Sequence, residues 1–586
     1  MAAAALPPAA AAWIGVTGWL ARTELLAAQH DLNALRQSVA AAVVSHPAAV
    51  AAGAPAESAQ ERLLRSAAAH AARAHRLTTG PAWYTAAQLP FAGAPVETVR
   101  GLAKASDELA GEVLPPLVRA VPRLSAGAHA GGLARALTEL QGQGDAFARA
   151  ATVAADVQGD VRRLPHSTWL PAADSGRVQL SAQLDRLVPS ARDAAVAARV
   201  VPAMLGAHGP RRYFLSFQNT AEARGTGGLP GAFAVLRTDR GRVSFERFGN
   251  DTEMDGFRTD PKFGADFADQ YGDNEPGSVW QNSNMSPHFP YAARIWTSAW
   301  RVHTGRRLDG AIALDPGALG LLLRATGPAR MPDGRAVTAA NAVDLTERSA
   351  YADYTDVDER KAFFVEAARA AAGRVMRSMD DPRTLPALLS AVHDVERAGR
   401  LQVWSAHAAE ERLLESRPFG GALPDAPGPF AGLVVNNAAG TKLDYYLDRS
   451  LRWAPGACTG DGRSVTVTVT LTNRAPAGLP HYVTQRVDHP PYPTRPGDNR
   501  LLVSYYAGTG AHLTSATLDG RRLEMISGTE RGHPVYTLDL ELPRGAGRTL
   551  VLHLREPEAD RPPTILRQAL VTPLRATVEP APACHD

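Results

Sequence analysis

The chain has 586 residues, 45% hydrophobic and 21% charged, with 62 basic against 59 acidic side chains and a formal net charge of +3. That length calls for about two to four domains, and the ordinary composition excludes both a small disulfide scaffold and wholesale disorder. Near-neutral charge provides no global basic field, so no nucleic-acid partner is expected and any anion site must be local.

Residues 2–20 carry no charge, and about 20 apolar residues is the length of a membrane-crossing helix. Alanine inserts weakly and Pro7-Pro8 interrupts a helix, whereas Trp13 and Trp19 suit a bilayer interface and Arg22 closes the run. The expectation is a single N-terminal membrane anchor over residues 1–21 with the bulk of the chain extracytoplasmic; a flexible Ala-rich leader is the alternative. Residues 22–205 read as a helical stalk, because apolar side chains such as Leu25, Leu32, Leu35 and Val39 recur at three- and four-residue spacing. Breaks are expected at Thr79-Gly80-Pro81, at Pro90 to Gly93 and at Pro115-Pro116. The His and Glu residues of this stretch show no metal-ligand spacing and read as solvated helix surface.

At Arg211 to Phe217 a short apolar, aromatic run has the character of a buried strand. Two further strands, Ala232 to Leu236 and Arg242 to Phe248, are joined by Asp239-Arg240-Gly241 as a hairpin. Leu308 to Pro316 is a strand leading into a helix at Gly317 to Ala325, and helices alternate with acidic loops up to about Arg412. Residues 206–421 are therefore an α/β domain. After a Pro- and Gly-rich linker at Ala422 to Pro429, the alternation of Arg463 to Thr472 marks a half-buried strand. Similar runs at Arg500 to Tyr506, His512 to Leu518, Val535 to Leu540 and Thr549 to Leu554 make residues 430–586 an antiparallel β-sandwich. The whole is a multidomain α+β chain. Only Cys458 and Cys584 are present, so thiolate metal clusters are excluded. Either the two remain thiols, or they pair in an oxidising compartment and tie down the tail by roughly 4 to 5 kcal/mol.

The segment Asn219 to Gly231 carries unusual local chemistry, with Glu222, Arg224 and a cluster of glycines including Gly227 and Gly228 directly after a buried strand. Glycine lets a ligand approach the main chain, so successive N–H groups can cradle an anion while Arg224 adds a bidentate fork. The other reading is a tight turn between core strands, with Arg224 paired to Glu222 or another carboxylate. Acidic clusters follow at Asn250 to Asp255 and at Tyr351 to Lys361. One or two carboxylates plus substrate phosphates suffice to hold Mg²⁺; solvated loops are the alternative for each cluster taken singly.

The runs YFLSFQNTAEARGTGGLPGAFAVL, FPYAARIWTSAW and LDGAIALDPGALGLLLRATGP, then Asn341 to Arg360 and NNAAGTKLDYYLDRSLRW, resemble the actinobacterial envelope family called domain of unknown function 4012. That resemblance covers nearly the whole chain and implies architecture rather than chemistry. The central piece is also distantly similar to the LytR-CpsA-Psr enzymes, which move glycopolymers from a polyprenyl-pyrophosphate carrier onto peptidoglycan. It matches their order of elements at Arg224 to Gly227, Asn250 to Thr252, Leu308 to Gly327 and Asp356 to Lys361. It departs from them in lacking a carboxylate just after Arg224, in having Asn250 where an Arg is expected, and in having Lys361 where a Gln is expected. The resemblance implies a phosphotransferase in which Arg224 and Arg360 neutralise the pyrophosphate and Asp251 or Asp255 holds Mg²⁺. Asn219, Glu222, Gly227, Gly228 and Lys361 would line the ligand, and the apolar stretch from Ile312 to Leu323 would shelter a lipid tail. A non-catalytic envelope protein, holding such a glycan or serving as a scaffold, is the alternative.

Overall fold

The structure is a computed structural model that describes residues 8–44, 59–166, 168–379, 381, 383–425, 427–460, 462–559 and 561–582. The chain is a mixed α+β protein in two compact units, Met1–Gly209 with Arg240–Arg242, and Pro210–Asp239 with Val243–Asp586.

The first unit is helical: α1 (Pro8–Val44), α2 (Ala59–Thr78), α3 (Pro81–Ala87), α4 (Gly93–Glu108), α5 (Leu114–Gly142), α6 (Gly144–Arg163) and α7 (Pro171–Met204). In α1 the residues Thr17, Ala21, Ala28 and Leu35 are buried, a spacing of four, seven and seven that keeps one small-residue stripe against the neighbouring helices. Ala21 packs with Ala74 and Ala103, and Ala28 with Ala71 and Ala110, so α2 runs against α1 while α4 runs with it. The expected boundary at residue 21 lies inside unbroken α1. No helix among the described residues is long and apolar enough to cross a membrane. Alanine supplies little hydropathy and charges begin at Arg22, so the uncharged start of α1 has one face docked in the bundle instead; residues 2–7 of the expected anchor lie outside the described residues. Pro115-Pro116 does not end a helix. A π-helical turn, Leu109–Val113, carries α4 into α5, and the prolines fall directly after it, in the first turn of α5. Two histidines read as solvated surface bridge helices: His70 Nδ1 lies 2.5 Å from Glu24 Oε2, and His75 Nδ1 lies 2.8 Å from Asp107 Oδ2.

The second unit begins with β1 (Arg211–Arg224), β2 (Gly227–Asp239) and β3 (Arg242–Asn250), with Arg240 and Gly241 at positive φ in the turn before β3. There follow α8 (Ala265–Tyr271), α9 (Phe289–Thr304), β4 (Gly310–Leu314) and α10 (Pro316–Thr326), then a two-stranded ribbon of β5 (Ala329–Arg330) and β6 (Ala336–Val337). Next come α11 (Ala342–Asp344), a π turn at Leu345–Ser349, α12 (Ala350–Asp353), α13 (Val357–Met379), α14 (Leu385–Arg397), β7 (Leu401–Ser405) and α15 (Ala408–Glu415). The five-stranded sheet has the order β3-β2-β1-β4-β7, with β1 and β4 parallel. Its core is aromatic: Phe214 and Phe233 stack at 5.1 Å, and Trp280, Trp296 and Trp300 close around Phe214 edge-on or tilted.

Eleven strands with one short helix complete the unit: β8 (Phe430–Asn437), β9 (Leu447–Thr459), β10 (Gly462–Asn473), α16 (His481–Thr484), β11 (Asn499–Ala507), β12 (His512–Leu518), β13 (Arg521–Leu523), β14 (Ile526–Glu530), β15 (His533–Leu542), β16 (Gly547–Glu556), β17 (Thr564–Arg567) and β18 (Arg575–Val578). They form a six-stranded sheet, β13-β12-β16-β10-β9-β18, and a five-stranded one, β14-β15-β11-β8-β17, whose inward side chains share one core. Ala223, at the far end of β1, belongs to that same core, so β1 continues out of its own sheet into the C-terminal pair. Cys458 is disulfide-bonded, and Cys584 lies outside the described residues.

Candidate functional site

The site grows from an irregularity in β1. Asn219 pairs with Leu229 of β2, but the next partners are Ala223 and Gly228, so Thr220 to Glu222 bulge out of the ladder. Buried main-chain donors freed in this way need acceptors. The Thr220 N–H donates to Glu347 Oε1 at 2.6 Å, with the Thr220 hydroxyl 2.8 and 2.7 Å from the two Glu347 oxygens, and the Ala223 N–H donates to Asp444 at 2.7 Å. Glu347 sits in the π turn, itself a distortion that re-aims side chains. Burial pushes its carboxyl up to about 8 against the two Thr220 hydrogen bonds. Asp444, also buried, accepts further bonds from Asn437 and Asn499, each at 2.7 Å, which ties the bulge to the C-terminal sheets.

Beside the bulge a cleft of about 110 Å³ opens at the carboxyl ends of the parallel pair β1 and β4, where open α/β sheets present ligand sites. Three cations line it: Arg360 and Lys361 at the start of α13, and Lys442 from the connection after β8. Lys361 Nζ lies 2.9 Å from Asp251 Oδ1 and Lys442 Nζ lies 2.8 Å from Glu222 Oε2, both pairs largely screened from solvent. Burial raises the Asp251 carboxyl, opposed by Lys361. Arg360 is 2% exposed and lies flat over Tyr482, 3.7 Å from the ring centroid, with Nη1 donating to the Tyr354 carbonyl at 2.8 Å. Its Nη2 is buried and has no hydrogen-bond partner. Asn219 donates to Tyr351 Oη at 2.7 Å and to Glu222 at 3.1 Å, holding the wall in register. Asp315 is committed elsewhere, capping α10 through the Ala318 N–H and pairing with Arg400 at 2.5 Å. With Glu347 protonated below about pH 8, the three cations Arg360, Lys361 and Lys442 face the carboxyl groups of Asp251 and Glu222. Phe217, Leu229, Leu319, Phe364, Ala367 and Ala368 add an apolar wall, beside the polar Gln218, Asn250 and Thr346.

Five residues singled out in the sequence thus meet here: Asn219, Glu222, Asp251, Arg360 and Lys361. Arg224, Gly227, Gly228 and Asp255 do not line the cleft. The Gly-rich segment is the closing turn of the β1–β2 hairpin, with Arg224 opposite Gly227. Its glycines answer to packing, since a Cβ on Gly225 would lie 2.1 Å from the Met285 carbonyl oxygen, and one on Gly228 would lie 2.2 Å from that of Asn219. Arg224 is buried and spends its guanidinium on the carbonyls of Gln281, Ala223 and Asn437, at 2.6 to 3.1 Å, so its partners are main-chain oxygens rather than a ligand or the expected carboxylate. Burial lowers its pKa, with Glu222 and Asp444 opposing. Asp255 is exposed, and Asp251 already has an ammonium partner. Among the described residues no group of three or more His, Cys, Asp or Glu could hold a metal. Asp251 and Asp255, the expected Mg²⁺ ligands, therefore do not meet at one site.

Glu347, Lys442 and Tyr482 were missed as site residues. One signal was available for Lys442: the chain has four lysines among its 62 basic residues, and two of the four line this cleft. Lys is a compact, mobile point charge where Arg is a fixed fork, so Lys retained in an Arg-rich chain marks a position that needs that difference. Residues 208–351 match the family model described as "Protein of unknown function (DUF4012)", a stretch that carries Asn219, Glu222, Asp251, Glu347 and Tyr351 and ends before Arg360. No curated protein and no solved structure matches the chain.

Proposed function

We propose that the cleft binds the phosphorylated end of an amphiphile, a polyprenyl-pyrophosphate-linked glycan of the cell envelope, within an α/β domain of the LytR-CpsA-Psr type followed by a β-sandwich. The observation that carries this reading is the Arg360 guanidinium, buried, fixed over Tyr482 and left with an unused donor in a cleft it shares with Lys361 and Lys442. A buried charged donor without an acceptor is costly, and an anionic oxygen placed there removes the cost. The two lysines can exchange their carboxylates for phosphate oxygens by rotating flexible stems, while Phe217, Leu319 and Phe364 supply an apolar wall for a hydrocarbon.

Binding without turnover is the reading favoured by the carboxyl groups, because Asp251 and Glu222 are each paired to a lysine. A transferase remains the second reading on one observation, the Glu347 carboxyl near pH 8 in the cleft wall, a pKa suited to accepting a proton from an acceptor hydroxyl as that hydroxyl attacks phosphorus and polyprenyl phosphate leaves. Calorimetric titration of the full-length protein with farnesyl pyrophosphate, a soluble short-chain probe, tests the proposal. Arg360→Gln should weaken binding by about 10- to 100-fold, the loss of one charged hydrogen bond, while exposed Arg258→Gln should leave it unchanged. Absence of heat for the parent protein, or equal affinity in Arg360→Gln, would overturn it.

A further inference from the structure

The helical unit carries its own unexplained feature at one end. Trp13 and Trp19 on α1 are 61% and 63% exposed, Tyr84 on α3 is 54%, Phe91 in the α3–α4 connection is 93%, and Trp169 in the α6–α7 connection is 65%. Packing places these segments at the same level. Trp83 of α3 donates its indole N–H to Thr17 Oγ1 of α1 at 2.9 Å and lies against Gly18. Since α4 runs with α1, and Ala103 lies level with Ala21, the connection before α4 lies level with the first turns of α1. Leu164 meets Gly101, and Gly176 meets Leu102, which brings the α6–α7 connection to the same place. The Trp169 indole N–H then donates to the Phe91 carbonyl at 2.8 Å, joining the two connections directly. Phe91 is held outward by a backbone at φ +61, a conformation that bulky residues seldom adopt.

Five separately contributed aromatics, four of them Trp or Tyr with a polar edge, are costly to leave in water and match the amphipathic rings found at the headgroup level of a bilayer. The charge around them is complementary to an anionic surface: residues 8–23, 78–100 and 160–178 carry five Arg against three carboxylates. Asp160 is engaged by Lys104 and Arg163, Arg162 by Asp185, and Asp174 by the Thr168 N–H, which leaves Arg22, Arg100 and Arg177 against Glu97. We infer that this end of the helical unit docks on the surface of an anionic lipid bilayer, lying in the interface without crossing it.

Flotation of the full-length protein with vesicles of phosphatidylcholine and phosphatidylglycerol, free of polyprenyl lipid, tests this inference. The parent protein should float with the anionic vesicles, and less with pure phosphatidylcholine. Phe91→Ser with Trp19→Ser should lower the partition coefficient by roughly tenfold or more. Both side chains are exposed, so the double variant should melt as the parent does, and Arg360→Gln, altered only in the cleft, should float as the parent does. A parent protein that stays at the bottom of the gradient with both vesicle types, as a surface for a protein partner would, overturns the inference. So does a double variant that floats like the parent, or flotation lost only in Arg360→Gln.

Discussion

Replacing Glu347 by Gln should remove a defined part of the dependence of stability on pH. The carboxyl titrates near 4.5 when free and is raised to about 8 by burial. Between those values the folded chain retains a proton that the unfolded chain has released, so by linkage stability falls as pH rises. The stabilisation held by the protonated acid is fully present below pH 4.5, declines through the window, and is gone above about pH 8. At 1.36 kcal/mol for each pH unit the displacement corresponds to at most about 5 kcal/mol. Glutamine keeps an oxygen acceptor for the Thr220 N–H, which donates at 2.6 Å to the native carboxylate, and does not titrate. Other raised acids, such as Glu411 and Glu556, titrate in both proteins and cancel in the difference. Urea unfolding of the parent and of Glu347→Gln from pH 5 to 9, with hydrogen exchange at the β1 amides as the local reporter, should give a difference that slopes down to about pH 8 and then flattens. Parallel curves over the whole range would refute the assignment of that proton to Glu347.

Lys361→Met strands the Asp251 carboxylate in the cleft and should cost about 1 to 3 kcal/mol of stability, most of which returns in Lys361→Met with Asp251→Asn; a double-mutant cycle by denaturant unfolding measures the coupling, and additive losses would contradict the pairing. Arg224→Met leaves three buried carbonyls without their donor and should destabilise by roughly 3 to 5 kcal/mol, with farnesyl pyrophosphate affinity at low temperature unchanged if the protein stays folded. Tyr482→Leu removes the ring beneath Arg360 and should weaken the same titration by about three- to tenfold with little change in melting temperature, whereas an unchanged affinity would show that the stacking does not position the guanidinium.

Much of the scaffold was legible because strands with one wet face write their period directly into the chain. The Val-Thr alternation of Arg463 to Thr472 became β10 within one residue at each end, and His512 to Leu518 became β12 with the same limits. Helix limits set by proline were less legible: Pro115-Pro116 fits a helix start as well as a helix end, and the π turn before it decided between the two. The Gly-rich segment had the composition of an anion cradle and of a tight hairpin alike. Only the approach of the Met285 and Asn219 carbonyls distinguishes them, and those contacts are tertiary. For the cleft, Arg360 and Lys361 were visible in an acidic-basic cluster, while Lys442 and Tyr482 reach it from more than 200 residues beyond β1. The scarcity of lysine was the one local hint. Glu347 left no trace in the pattern because its role depends on a bulge in another strand.

The most direct test of the central claim is photolabelling of the full-length protein with a prenyl phosphate that carries a diazirine on its hydrocarbon, followed by peptide mapping. The account predicts labels on the peptides holding Phe217, Leu319 and Phe364 to Ala368, abolished by excess farnesyl pyrophosphate and strongly reduced in Arg360→Gln. Labels confined to the helical unit, or spread over the surface and indifferent to competitor, would contradict it.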